Sequence, residues 1–350
     1  MEIFGCRRVR RWLLVACAAA SVGRGDAPTR NPVAALLDRG TKTKMLASIR
    51  AAGGLAPREA NASAMRGGFV IVTVQRTGST WLVEEIQGHP CLAAGKEIFL
   101  NQNKPQNVKP NTSAATIANK YSGFVWSTAR RQAALNAFYD GAPLDDDANV
   151  TYPFRHFAKH CRSSGAPTCG FKWMLSQHFQ DDWPAWFRAF CRDRGVSLIF
   201  LTRENLLRVR VSSYAKDNAH QSIHVPGAEQ SQLVLETGDA LLHSLGKLEG
   251  QYAFLADAAA DARAAGVPTL ALRYEDLVAN TSATLDAVAT YVLKRSWCTG
   301  DVRHHWFAKA KERERGGQIH ADPLRSYIRN WDDVERTLAG TRFEKYLYYD

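Results

Sequence analysis

The sequence predicts an α/β fold in which a central parallel β-sheet is flanked by helices on both faces. Four short apolar runs have the length and the β-branched or aromatic content of buried strands. They span residues 69–74, 169–173, 196–201 and 267–272. Segments with helical patterns separate these runs, and strands that alternate with helices pair in parallel through right-handed crossovers. The helices are therefore expected to cover both faces of the sheet.

The predicted helices differ in how regular their apolar pattern is. The first carries its apolar residues on one face, and the second contains Pro184. The last is expected to be interrupted by Gly238, Gly246 and Gly250, because glycine is disfavoured in helix interiors. The four helical segments span residues 79–87, 182–194, 205–219 and 229–265.

Composition restricts the class of ligand. The 350 residues are 45% hydrophobic and 23% charged, which is enough for one full-sized core or two small ones. Lys and Arg number 45 against 34 Asp and Glu, a formal net charge of +11 that favours anionic ligands. Beyond the N-terminus this excess is dilute, and no basic run with interleaved aromatic residues follows. Nucleic acid is therefore not expected as a partner.

The N-terminus has the pattern of a targeting segment. Four arginines between positions 7 and 11 precede an apolar run at 12–20, after which small residues follow. This order is typical of a secretory signal peptide, which we predict over residues 1–23. The apolar run is shorter than the roughly 20 residues that span a bilayer, yet a short signal anchor with N-terminal membrane association stays open. An organelle transit peptide is a further alternative.

The rest of the chain divides into a stem and one folded domain. Residues 24–66 are rich in Ala, Gly, Pro and Arg without a sustained apolar period and are predicted to be a stem or linker. Residues 67–350 are predicted to form the folded domain. Four glycosylation sequons favour the secretory pathway, with the Golgi lumen or secretion as the destination. These sequons begin at Asn61, Asn111, Asn149 and Asn280.

Cysteine usage leaves the redox compartment open. Five cysteines lie beyond the leader, so at least one of them is unpaired within the chain. Cys161 and Cys169 flank Gly165 and Pro167, and a short disulfide loop between them is plausible. Buried, reduced cysteines in a cytosolic protein are the alternative. No CxxC pair occurs, and no metal site is expected.

The turn after the first predicted strand is suited to an anion. It reads Gln-Arg-Thr-Gly-Ser-Thr-Trp-Leu over residues 75–82. Gly78 allows a tight turn, and the next residues begin a helix whose free N–H groups and positive dipole end bind anions. Arg76 adds a charge, and three hydroxyl side chains add donors, those of Thr77, Ser79 and Thr80. The turn is P-loop-like in position, but a serine stands where the Walker A lysine is required, which disfavours ordinary ATP hydrolysis.

A second anion-ready position follows the third predicted strand. Arg203 lies at the end of that strand, and Ser212 lies about two and a half turns along the next helix. A lone arginine there would usually form a surface salt bridge. Ligands of parallel sheets bind beyond the carboxyl ends of the strands, so two such positions in one chain predict a ligand with two phosphate groups.

With these motifs the chain resembles the sulfotransferases that use 3′-phosphoadenosine 5′-phosphosulfate (PAPS), in particular the carbohydrate and trehalose-type branch. The turn at 75–82 resembles the 5′-phosphosulfate loop of that family, and Arg203 with Ser212 resembles its 3′-phosphate pair. Three further segments resemble family motifs in the same order, and the resemblance covers residues 68–348. These segments are Gly-Phe-Lys-Trp-Met at 170–174, Arg-Tyr-Glu-Asp-Leu at 273–277 and the C-terminal stretch at 328–341.

The resemblance implies roles for the residues of both motifs. Arg76 and the backbone and side chains of Thr77, Gly78, Ser79, Thr80 and Trp81 would hold the 5′-phosphosulfate of PAPS. Arg203 and Ser212 would hold the 3′-phosphate. Lys172, a lysine within an apolar strand, would reach the transferring sulfate or an acidic substrate. The chemistry implies no metal.

The catalytic base is assigned by the same resemblance. Glu97 matches the position at which trehalose-type and several carbohydrate enzymes carry a glutamate base, and a carboxylate can take the proton of an alcohol. His178 is the rival, since cytosolic relatives use a histidine base. Glu275 and Asp276 are expected to begin a helix and to complement its dipole.

The function that the sequence favours is transfer of a sulfuryl group from PAPS to a hydroxyl of a carbohydrate or glycolipid. The loops at 104–121 and 139–161 are expected to select the acceptor. Three alternatives stay open: a non-catalytic nucleotide- or glycan-binding relative, a sulfotransferase acting on small-molecule alcohols, and a P-loop kinase with an altered loop.

Overall fold

The computed structural model describes residues 68–89, 91–100, 125–142, 144, 150–164, 166, 168–218, 233–293 and 323–348. The predicted leader and stem and the predicted acceptor loop at 104–121 lie outside these residues. The same is true of the sequons at Asn61, Asn111 and Asn149. Among the helices of the described residues, none combines the length and the hydropathy needed to cross a bilayer.

Five parallel strands form one sheet in the order β2-β3-β1-β4-β5. The predicted fold class, a central parallel sheet flanked by helices, is therefore confirmed. The strands are β1 (Gly68–Thr73), β2 (Leu92–Glu97), β3 (Thr168–Met174), β4 (Val196–Thr202) and β5 (Thr269–Arg273).

The central strand β1 is buried on both faces. Val70 and Val72 point into one apolar core, and Phe69 and Ile71 point into another, because successive side chains of a strand alternate. A strand that is buried on both faces has a continuous apolar sequence, and this pattern is why the sequence predicted β1.

Helices supply the other side of both cores. Among the described residues, five α-helices pack on the face of Val70, and three pack on the face of Phe69. In chain order the α-helices are α1 (Ser79–Gln87), α2 (Thr128–Tyr139), α3 (Tyr152–Ser163), α4 (Phe179–Asp182), α5 (Arg188–Arg194), α6 (Leu206–Asn218), α7 (Asp239–Ala264), α8 (Tyr274–Ala279), α9 (Thr281–Val292), α10 (Leu324–Tyr327) and α11 (Trp331–Leu338).

The structure differs from the sequence-based predictions at one strand, one loop and one helix. Strand β2 was not predicted, because its sequence Leu-Ala-Ala-Gly-Lys-Glu has no β-branched or aromatic residue and forms a strand only by pairing with β3. The expected acceptor loop at 139–161 contains most of helix α3, which packs on the sheet through Phe154 and Phe157. Helix α7 runs through Gly246 and Gly250 without interruption. Packing of its apolar face outweighs the low propensity of two glycines.

Pro184 does not end its helix but widens one turn. Residues Trp183–Phe187 form a π-helical turn between α4 and α5, because proline has no N–H to donate to the preceding turn. Beside it, Arg131 of α2 forms an ion pair with Asp182, and both side chains are almost fully buried. This pair connects α2 to the segment that follows β3.

The cysteines do not pair as suggested. Cys161, Cys169 and Cys191 are free and buried, so the plausible loop disulfide between Cys161 and Cys169 is absent. Burial raises the pKa of the Cys161 thiol, and a hydrogen bond with Cys169 raises it further, so the Cys161 thiol stays protonated. Cys91 is disulfide-bonded.

Candidate active site

The turn after β1 leaves the start of helix α1 without a side-chain cap. Gly78 occupies the N-cap position with φ 80°, and no side chain accepts a hydrogen bond from the first N–H groups of the helix. Arg76 also has a positive φ, 68°, which is uncommon for a residue with a side chain. Helix α1 therefore begins directly after this glycine turn, as the sequence predicted, and its first N–H groups have no side-chain cap.

The hydroxyl groups of this turn face in different directions. Thr77 is fully buried, and its hydroxyl donates to the carbonyl of Val74 (3.1 Å) and lies 2.6 Å from the hydroxyl of Thr73. Ser79 is buried at the start of α1, whereas Thr80 is exposed beside Lys172. The hydroxyl of Thr77 thus stabilises the turn from inside, and Thr80 presents the accessible hydroxyl.

Tyr274 lies between the two anion-ready turns. A Cβ atom at Gly78 would lie 2.3 Å from the ring of Tyr274, so only glycine fits there. The guanidinium carbon of Arg203 lies 4.3 Å from the centroid of the same ring. Trp81 contacts the ring edge-on, with centroids 6.2 Å apart. The Tyr-Glu-Asp-Leu motif was part of the family resemblance, but the sequence did not predict that Tyr274 would lie between the two turns.

Arg203 is a buried cation without a carboxylate partner in the described part of the chain. Only 6% of the residue is exposed, and its Nε atom has no hydrogen-bond partner there. Burial lowers the pKa of the Arg203 guanidinium below its ordinary value. Its side chain otherwise approaches the carbonyl of Arg76 at 3.5 Å. A buried cation of this kind is expected to bind an anion.

Arg76 and Ser212 join the two turns. The Nε atom of Arg76 donates to both the carbonyl and the hydroxyl oxygen of Ser212, each at 3.1 Å. The sequence predicted that residues 75–82 and 203–212 would meet at one edge of the sheet, and this contact confirms it. In this conformation the Arg76 side chain points toward the helix that carries Ser212.

Glu97 and Lys172 meet through a bulge in strand β2. The pairing with β3 shifts between Gly95 and Glu97, so Lys96 is an extra residue and Glu97 lies opposite Lys172. The Lys172 ammonium, on a side chain only 2% exposed, lies 2.9 Å from Oε1 of Glu97 and donates to the Thr80 hydroxyl at 3.2 Å. Lys172 therefore connects the candidate base with the start of helix α1.

Gln177 completes this cluster and was missed by sequence reasoning. Its Nε2 atom donates to Oε2 of Glu97 at 3.1 Å. The neighbouring His178, which the sequence offered as the rival base, is exposed and has a φ of 64°. Its Nδ1 atom lies 3.0 Å from the carboxylate of Asp181. Of the two candidate bases, Glu97 is the one in contact with Lys172.

Glu275 and Asp276 occupy the first turn of helix α8, as expected. Hydrogen bonds from Arg273 lower the pKa of the Asp276 carboxyl. Glu275 has an additional role, since its Oε1 accepts a hydrogen bond from the backbone N–H of Glu204 at 3.1 Å. It thus fixes the turn that carries Arg203. Across the described ranges, no three His, Cys, Asp or Glu side chains converge as metal ligands would.

Fold and site together define an α/β protein with two adjoining anion-ready turns and a Lys–Glu pair beside them. Two solved structures have a similar fold. The sulfotransferase domain of the olefin synthase from Synechococcus PCC 7002 is 16% identical, with a TM-score of 0.36, and the match covers 81% of this chain and 95% of that domain. The sulfotransferase STF9 from Mycobacterium avium is 13% identical, with a TM-score of 0.38, and the match covers 86% and 81% of the two chains.

The sequence matches no protein-family model and no curated protein. The two structural likenesses are too remote to assign an activity to this chain. Its chemistry has to be deduced from the residues of the site.

Proposed function

We propose that this protein transfers the sulfuryl group of PAPS to the hydroxyl group of an acceptor. The observation that carries the proposal is the contact between Arg76 and Ser212, because it places two anion-ready turns within one site. A nucleotide with a 3′-phosphate and a 5′-phosphosulfate has anionic groups at both ends and suits such a pair of turns.

Each end of the donor has a matching set of groups. The uncapped N-terminus of helix α1, with the Thr80 hydroxyl beside it, would bind the 5′-phosphosulfate. Arg203, whose buried Nε lacks a partner among the described residues, would bind the 3′-phosphate together with Ser212. Tyr274 separates the two sets and holds them at a fixed spacing.

The transfer itself needs a base and positive charge. An oxygen of the acceptor hydroxyl attacks the sulfur, the bond from sulfur to the bridging oxygen of PAPS breaks, and 3′-phosphoadenosine 5′-phosphate leaves. Glu97 would accept the proton of the attacking hydroxyl. Lys172 contacts both Glu97 and Thr80, so its ammonium lies where it would stabilise negative charge on the transferring group.

We further propose that the acceptor is a carbohydrate or glycolipid and that the reaction takes place in the secretory pathway. The leader pattern and the four sequons support this location. The Asn280 side chain is exposed, and its oxygen caps helix α9 by accepting from the N–H of Ala283 at 3.0 Å. Its amide nitrogen has no such role, so a glycan on that nitrogen would leave the cap intact.

The test combines a binding and a transfer experiment. The protein is titrated with 3′-phosphoadenosine 5′-phosphate by calorimetry and is then incubated with labelled PAPS and a panel of glycans, glycolipids and small alcohols. We expect binding of the nucleotide and transfer of label to at least one sugar hydroxyl. Label on small alcohols alone would refute the carbohydrate acceptor. Absence of both binding and transfer, or phosphate transfer from ATP instead, would refute the proposal.

Glu97→Gln separates an enzyme from a binding protein. The variant should bind 3′-phosphoadenosine 5′-phosphate as the wild type does but lose most of its turnover, because the amide cannot accept the proton. Glu84→Gln is the matched control, since Glu84 is an exposed carboxylate close by that pairs with Lys96. Equal turnover of the Glu97 variant and the wild type would show that Glu97 is not the base.

A further inference from the structure

The turn after β3 reaches both neighbouring strands. Strand β3 lies between β2 and β1 in the sheet, so its carboxyl end is flanked by Glu97 on one side and by the turn after β1 on the other. Residues Leu175–Gln177 form one turn of 3₁₀ helix there. Ser176 accepts a hydrogen bond from Nε2 of Gln75 at 3.2 Å, and Gln177 donates to Glu97 at 3.1 Å.

The side-chain amide of Gln177 has only one orientation that satisfies its neighbours. Its Oε1 atom accepts from the backbone N–H of Met174 at 3.3 Å, so its Nε2 atom must face Glu97. Its backbone carbonyl accepts from the indole N–H of the fully buried Trp173 at 3.0 Å. The amide donor is therefore fixed from both sides and cannot rotate away from Glu97 without losing a buried hydrogen bond.

The two oxygens of Glu97 have donors of different kinds. Oε1 faces Lys172, which also donates to Thr80 at the start of helix α1. Oε2 faces Gln177, a neutral donor whose side chain is otherwise bound only to the backbone of its own turn. Among the described residues, Glu97 is therefore the only side chain with which the side chain of Gln177 forms a hydrogen bond.

We propose that Gln177 is the positioning residue for Glu97: its amide holds one carboxylate oxygen and so aims the carboxylate that accepts the proton. This inference rests on the proposed function for Glu97 as base. Gln177 acts through Glu97 and does not contact the reacting atoms. A hydrogen bond donated to a carboxylate stabilises the charged form, so loss of the donor makes ionisation less favourable.

Charged side chains lie on strand β3, on strand β2 and in the segment after Gln177. Lys172 faces it from β3 within ion-pair distance. Lys96, the neighbouring residue, pairs with Glu84 of helix α1. His178 and Asp181 pair with each other after the turn. Substitution of Gln177 leaves all of these charges in place, so a change in the pH profile reports on the missing amide.

The test uses Gln177→Met, which keeps the length of the side chain and removes both polar atoms. The kcat of sulfuryl transfer should fall about ten-fold or more, which is the effect of losing a hydrogen bond to a charged group. The KM for PAPS should change less than about two-fold. The acidic limb of the kcat/KM profile should move to higher pH, because the base ionises less readily. Gln177→Glu should move the limb in the same direction, since a second carboxylate opposes ionisation of the first.

Gln180→Met is the matched control, because it makes the same change at an exposed position three residues away. It should leave kcat, KM and the pH profile unchanged. Circular dichroism melting shows whether Gln177→Met is folded. A folded Gln177→Met variant with the kcat and the pH profile of the wild type would overturn the inference.

A readout that does not depend on activity keeps the inference separate from the proposed function. Carbon-13 NMR of glutamate-labelled protein, with Glu97→Gln for assignment, follows the titration of Glu97 directly. The midpoint should move to higher pH in Gln177→Met and stay in place in Gln180→Met. An unmoved midpoint in folded Gln177→Met overturns the inference, whereas a wild type that moves no sulfuryl group refutes the proposed function only.

Discussion

The Nε atom of Arg76 lies 3.1 Å from the Oγ atom of Ser212, although the two residues are 136 positions apart in the chain. The contact joins the turn after β1 to helix α6, which follows the neighbouring strand β4. Each turn alone is an ordinary feature of an α/β fold, whereas the two together are the basis for the proposal that one nucleotide with anionic groups at both ends binds here. Arg76 thus belongs to the first turn and contacts the helix that follows the second.

A double-mutant cycle of Arg76→Met and Ser212→Ala tests this sharing. Both substitutions should weaken binding of 3′-phosphoadenosine 5′-phosphate, and their effects should be non-additive by about 0.5–3 kcal/mol, because contacting residues are energetically coupled. Calorimetric titration of the four proteins provides the measurement. In the control cycle Ser213→Ala replaces Ser212→Ala, and its effect on the binding free energy should simply add to that of Arg76→Met. Strict additivity with Ser212→Ala would show that the contact carries no donor affinity.

Gly78→Ala should destabilise the protein and block the donor site. The new methyl group would collide with the ring of Tyr274, and the positive φ is strained for alanine. We expect a loss of about 2 kcal/mol or more of unfolding free energy in urea, with no detectable nucleotide binding. Gly266→Ala is the matched control, because Gly266 has a φ of 73° but a Cβ atom there would meet nothing within 4 Å. Equal losses in both variants would mean that the contact with Tyr274 is unimportant.

The two anion-ready turns were predictable from sequence because their signals are local. Gly78, Arg76 and the hydroxyl residues directly follow an apolar strand, and Arg203 directly follows another. Parallel strands place their carboxyl ends at one edge of the sheet, so the meeting of the two turns followed from the fold class.

The position and the contacts of Glu97, the candidate base, were not predictable in the same way. Glu97 owes its position to an edge strand of low β-propensity and to a bulge at Lys96, neither of which has a local signal. Its contact with Gln177 joins residues 80 positions apart. Such pairings depend on tertiary packing, which is why the partner of the base was found only in the structure.

Asp182→Ala should strongly destabilise the fold. Arg131 donates from Nη2 to Oδ1 of Asp182 at 3.1 Å and from Nη1 to the Trp126 carbonyl at 2.8 Å, and without Asp182 its buried charge is uncompensated. The expected cost is about 3–5 kcal/mol in urea denaturation. Asp193→Ala, which breaks the exposed pair with Arg192, should cost at most about 1 kcal/mol. The role of the buried pair is disproved if the two variants unfold at the same urea concentration.

Arg203→Met should weaken nucleotide binding without lowering the stability of the free protein. The Arg203 side chain is buried, and its Nε atom lacks a partner in the described residues, so the free protein carries the cost of a desolvated cation. Methionine can lie over the Tyr274 ring without that cost. We therefore expect an unchanged or higher melting temperature in the free protein, together with affinity for 3′-phosphoadenosine 5′-phosphate that is weaker by about 100-fold. Arg192→Met, at an exposed position on helix α5, should change neither quantity. A variant that melts several degrees lower yet binds the nucleotide normally would mean that Arg203 serves the fold and not the donor.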